Sequence, residues 1–160
     1  MNVDWEKSLA QLLGDVGYDG PATSDYKSSL VLRCESLYSK PINQFSPGDL
    51  RVMLGQNIAL QHLVAPALDI LEREPLVEGD YYPGDLLGTV LSRGNERPYL
   101  NFWRENPELQ ARLTAIVGRL QKLPEPLDNT LLQQFQTNCN PIPQTQIHAS
   151  KGRKRRRQGR

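Results

Sequence analysis

Asp80 and Asp85 stand five residues apart in EREPLVEGDYYPGDLLGTVL, residues 72–91, and two carboxylates brought together by a turn are the equipment of acid–base hydrolysis. Asp69, Glu72, Glu74 and Glu78 add further negative charge against Arg73 alone, and Tyr81 and Tyr82 sit side by side. Two other chemistries compete with catalysis. An acidic residue just inside a helix start favours the helix dipole, which is the simplest role for Asp85 after Pro83. Carboxylates interleaved with tyrosines also suit a protein interface, because tyrosine supplies contact area at low entropic cost and acidic groups steer a basic partner.

The rest of the chain offers catalysis little support. His62 stands alone in an apolar run and His148 lies near the C-terminus, so neither has the partners that a metal site or a triad requires. There is no P-loop, GxGxxG, HExxH or CxxC motif. Cys34 and Cys139 are far apart and read as free thiols, one buried and one in a polar tail. The expectation is a protein that is not an enzyme, holds no cofactor or metal and acts by binding.

Helical periodicity dominates the elements that must carry these residues. Trp5, Leu9, Leu12 and Leu13 predict a short helix that GDVGYDGPATS interrupts. Ser24 is the expected cap of a second helix with Tyr26, Leu30, Cys34 and Leu37 on one face, ended by SKP. SPGDL starts a third, with Ser46 as cap and Pro47 in the first position. From Leu50 to Leu71 the apolar spacing is helical, and Pro66 predicts either a kink or two helices meeting at Ala65 and Pro66. Gln56, Asn57, Gln61 and His62 interrupt that run, and Gln56 and Asn57 read as structural polar groups. YPGDLL repeats the helix-start device, Tyr99, Phe102 and Trp103 form an aromatic segment, and NPEL begins a helix through Leu120. Leu131, Leu132 and Phe135 allow one last turn.

No alternating β-branched run occurs, so the chain reads as all-α: a compact bundle of about six to eight short helices over residues 1–136. Residues 137–160 read as a disordered tail. The formal net charge of +1 conceals an asymmetry, because KGRKRRRQGR at 151–160 holds seven basic residues and leaves −6 on residues 1–150. An acidic body calls for a basic partner, whereas the tail is the only segment suited to nucleic acid. A nucleic-acid-binding accessory protein acting through that tail is therefore the alternative function. No apolar stretch is long enough for a membrane span, and the N-terminus lacks a secretion pattern, so a cytoplasmic protein without membrane contact is expected.

The segment KPINQFSPGDLRVMLGQNIALQHLVAPALDILEREPLVEGDYYPGDLLGTVL resembles the immunity proteins of bacterial contact-dependent growth inhibition systems. The order carries the likeness: a Lys-Pro start, an acidic-Leu-Arg helix, a Gly-Gln-Asn turn, a Leu-Val-Ala-Pro-Ala-Leu helix and an acidic Gly-Asp-Tyr-Tyr turn before Gly-Asp-Leu-Leu. The preceding YKSSLVLRCESLYSKP is similar to that family's helix at this place. The resemblance implies a small cytoplasmic helical protein that binds one cognate toxin domain, often a nuclease, and blocks its active site. Charge and turn position then single out Glu74, Glu78, Asp80, Tyr81, Tyr82 and Asp85 as the candidate toxin contacts. If those residues are scaffold instead, RENPELQARLTAIVGRLQ or the loop from Gly14 to Thr23 is the alternative surface.

Overall fold

A computed structural model describes residues 4–14, 28–93 and 96–120. Among them are seven α-helices, a 3-10 turn at Ile42–Gln44 and no strand. The helices are α1 (Leu9–Leu13), α2 (Ser29–Tyr38), α3 (Pro47–Gly55), α4 (Leu60–Arg73), α5 (Asp85–Ser92), α6 (Arg97–Glu105) and α7 (Pro107–Leu120). The all-α expectation holds for these residues. The boundary expected at residue 136, the turn at Leu131–Phe135, Cys139 and the basic tail lie outside the described residues.

α3, α4 and α5 form the centre, with α7 against α4 and α6 beside both. Met53, Leu54, Leu63, Leu68, Leu71, Leu86 and Val90 from the central three are fully buried. α4 has the wide apolar stripe that a helix packed on several neighbours requires. Burying such side chains is worth roughly 1.5–3 kcal/mol each, and that surplus must offset the ordering of the chain. The aromatic segment is a full helix, α6. Tyr99, Phe102 and Trp103 are all buried on it, Phe102 and Trp103 meet edge to face, and the Tyr99 hydroxyl donates to the Leu54 carbonyl at 3.1 Å.

Four local expectations change. Trp5 lies ahead of α1, whose cap is Ser8 in a reciprocal capping box with Gln11. α2 is capped not by Ser24, which lies outside the described residues, but by Ser28, whose hydroxyl accepts from the Val31 amide. On α2 Cys34 and Leu37 are buried, and Cys34 is a free thiol, but Leu30 is exposed.

The long apolar run breaks seven to nine residues earlier than Pro66 suggests. Asn57 and Ala59 both adopt left-handed backbone, with φ of 59° and 51°, and turn the chain between α3 and α4. Asparagine tolerates that conformation through its short polar side chain, and here its Nδ2 donates to Glu96 Oε2 at 2.7 Å. Pro66 is buried inside α4, which continues through it to Arg73. The proline removes one backbone donor, a loss the surrounding apolar contacts outweigh. Replacing Tyr99 with Phe should lower stability by about 1 kcal/mol while leaving the helical signal intact, as read by urea unfolding monitored by circular dichroism.

Candidate functional site

The acidic stretch after α4 forms a linker, residues 74–84, pinned at both ends. An isolated β-bridge pairs Glu78 with Pro83, and the Gly84 amide donates to the Val77 carbonyl. At its centre the Asp85 carboxylate accepts from the amides of Gly79 (2.5 Å), Asp80 (2.9 Å) and Tyr81 (3.0 Å). Asp85 is 3 % exposed. The two Pro-Gly-Asp-Leu segments therefore differ. In the first, Pro47 opens α3, and Ser46 and Asp49 form a capping box. In the second, Pro83 lies before the helix, α5 starts at Asp85, and the carboxylate reaches back to the linker instead of capping its own first turn.

Two glycines make this closeness feasible. A Cβ on Gly79 would sit 2.7 Å from Asp85 Oδ1 and 3.1 Å from Arg51 Cδ. One on Gly48 would collide with the Asp80 carboxylate. Only a residue without a side chain permits either approach.

Opposite charges link these segments in one chain. Lys40 Nζ lies 2.8 Å from Asp49, Arg33 bridges Asp49 (3.5 Å) and Asp80 (3.0 Å), and Arg51 contacts Asp80 at 2.8 Å. Arg51 Nε is 3.5 Å from Asp85 Oδ2 yet makes no hydrogen bond, so that last contact is electrostatic only. The Arg51 guanidinium also lies over the Tyr81 ring, 4.3 Å from its centroid, a cation–π geometry. Hydrogen bonds from Arg51 and Arg33 hold the Asp80 carboxyl below the usual carboxylate range. Burial pushes Asp85 up, but the three linker amides and Arg51 outweigh it and the net shift is downward. Asp49 is likewise lowered, burial opposing the hydrogen bonds from Lys40 and Ser46. Both Asp80 and Asp85 are thus held ionised near neutral pH, and neither keeps a proton to donate as a general acid.

The structure separates the six carboxylates into three groups. Asp69 and Glu72 lie on α4 and pair with Arg112 of α7, whose neighbour Arg119 donates to the Glu72 carbonyl. Asp80 and Asp85 are engaged as above. Glu74 and Glu78 are exposed and make no side-chain ion pair among the described residues. Tyr81 and Tyr82 are 72 % and 55 % exposed, on the outside of the same linker. The expected negative patch is therefore narrower than the sequence count, and it is joined by arginines that spacing alone did not reveal: Arg33 and Arg51 come from separate helices. Gln56 is exposed, with its backbone amide ending α3, while Asn57 makes the left-handed turn and the tie to Glu96. Burial holds the His62 imidazole below the usual histidine range, and no group of three metal-binding side chains occurs among the described residues. No described helix is long and apolar enough to cross a membrane.

The described residues thus form a helical body whose 74–84 linker is tied down from beneath and carries two exposed tyrosines. The family of CDI immunity proteins, those of contact-dependent growth inhibition, matches residues 18–113, and the chain belongs to it. It is a toxin-neutralising immunity protein whose partner is a cognate toxin protein. No curated protein matches the chain, and no solved structure does.

Replacing Asp85 with Ala should cost about 3 kcal/mol, because three linker amides lose their acceptor and Arg51 loses a neighbouring opposite charge. Gly79→Ala should be destabilising as well, and thermal melting checks both. The lowered carboxyls set the acid response. Their folded pKa values lie below the unfolded ones, so their contribution is present above the unfolded value of about 4 and is lost as pH falls through the folded values. A melting series from pH 6 to pH 2.5 should show the transition temperature dropping below about pH 4, less steeply in Asp80→Asn.

Proposed function

We propose that the toxin domain docks on the 74–84 linker and that the linker obstructs the active site of a nuclease. The observation that carries this is the combination of two exposed tyrosines with a backbone locked in place beneath them. An interface loses less entropy when its anchors are already held, and tyrosines are among the residues that dominate binding energy. Glu74 and Glu78, exposed on the same linker and without an ion pair among the described residues, add charge that steers a basic surface, and a net of −6 over residues 1–150 acts in the same sense. A nuclease must present a basic cleft to its polyanionic substrate, so an acidic obstacle fits that class of toxin. Asp80 contributes at the linker edge, and Asp85 serves from below by fixing the amides of residues 79–81.

Co-expression with the toxin domain encoded immediately upstream should preserve cell viability, and calorimetry of the purified pair should show one-to-one binding that weakens with added salt. Tyr81→Ala and Tyr82→Ala should each weaken binding by about 2 kcal/mol. Glu74→Lys with Glu78→Lys should chiefly slow association. Wild-type affinity in both tyrosine variants would remove the linker from the interface, and continued killing without any heat of binding would refute neutralisation of that toxin.

A further inference from the structure

Beside the linker, α2, α3 and α5 bound an open cleft of about 560 Å³ that the toxin-docking reading does not by itself use. Arg33, Arg51 and Arg93 line it together with Gln56, Ser92 and Tyr81, and among the described residues no acidic one does. The carboxylates that hold these arginines, Asp49, Asp80, Asp85 and Glu96, all lie outside the lining. The cleft is therefore lined by arginines whose acidic partners stand outside its described lining. Arg51 Nε itself is turned to Asp85, and the Arg33 and Arg93 side chains, each 40 % exposed, flank the cleft. A planar guanidinium is suited to a carboxylate, which it can engage through two parallel hydrogen bonds.

We propose that this cleft receives an acidic side chain of the toxin domain, inserted between Arg51, Arg33 and Arg93, with the Gln56 side-chain amide as a neutral donor. The proposal rests on the reading that the toxin docks on the linker. Tyr81 belongs to both surfaces, so a protein seated on the tyrosines covers the mouth of the cleft. The arginines are already positioned by their internal partners, which reduces the ordering cost of engaging a further carboxylate. The toxin face is then mixed in sign: basic opposite Glu74 and Glu78, with a single acidic group opposite the cleft.

The test places negative charge in the lining without touching the ion chain, using Gln56→Glu and Ser92→Asp in the full-length protein. Both should melt like the wild type and bind the toxin domain about tenfold or more weakly, whereas a purely basic toxin face would be drawn tighter by the same change. Alanine substitution of the toxin's Asp and Glu residues should then find one whose loss weakens binding to the wild type but has little further effect against Gln56→Glu. Wild-type affinity in both cleft variants, with Tyr81→Ala still weakened, overturns the cleft proposal and leaves linker docking standing. If Tyr81→Ala and Tyr82→Ala also bind normally, both readings fail together. Saturable binding of inorganic phosphate to the free protein, with toxin affinity insensitive to Gln56→Glu and Ser92→Asp, would make the cleft an oxyanion site and likewise overturn the proposal.

Discussion

Three aspartates that each follow a glycine, Asp49, Asp80 and Asp85, share Lys40, Arg33 and Arg51, and this alternating chain of charges joins α2, α3, the 74–84 linker and α5. Most of its members are only partly exposed, so each loss would leave an opposite charge poorly solvated. The apolar centre brings α3 and α5 together, but apolar packing is non-directional. Directed hydrogen bonds onto Asp85 determine where the linker from α4 to α5 lies. Gly48 and Gly79 are the geometric condition for that arrangement, since a methyl group at either would occupy space that a carboxylate already fills.

Legibility in the sequence followed the range of each interaction. Periodic apolar spacing pointed to most of the described helices, because a helix repeats its packing within a few residues, but α6 was visible only as an aromatic segment. Ser46 and Pro47 marked the start of α3 correctly, since capping is settled within a single turn. Asp85 was placed near a helix start, yet its partners lie in the preceding linker and its role could not be inferred from helix chemistry alone. Pro66 was the visible irregularity in the apolar run, but the turn fell at Asn57 and Ala59, where left-handed backbone leaves a much weaker signature in an alanine. The arginines were the largest omission. Arg33 and Asp80 are distant in sequence, and only the packing of α2 on α3 brings them within 3.0 Å.

Charge has two separate uses in this molecule. Arg112 with Asp69 and Glu72 ties α7 to α4, and the chain through Asp80 ties the linker to the body, so most of the acidic residues near the linker stabilise geometry. Under the docking proposed above, recognition falls to the groups those pairs do not consume: Glu74, Glu78, the two tyrosine rings and the arginines of the cleft. Net charge over the body therefore describes long-range attraction to a partner, while the contact surface itself is more mixed.

The Asp85 carboxylate grips residues 79–81 through their main-chain amides, not through anything their side chains supply. Position 81 must therefore retain an N–H, which bars proline, but the identity of its side chain is irrelevant to that grip. Position 82 is outside it altogether. If the toxin docks there as proposed, the outward groups at 81 and 82 can be exchanged by single substitutions with the latch beneath them still closed. Holding the loop and presenting its side chains are then tasks of different atoms.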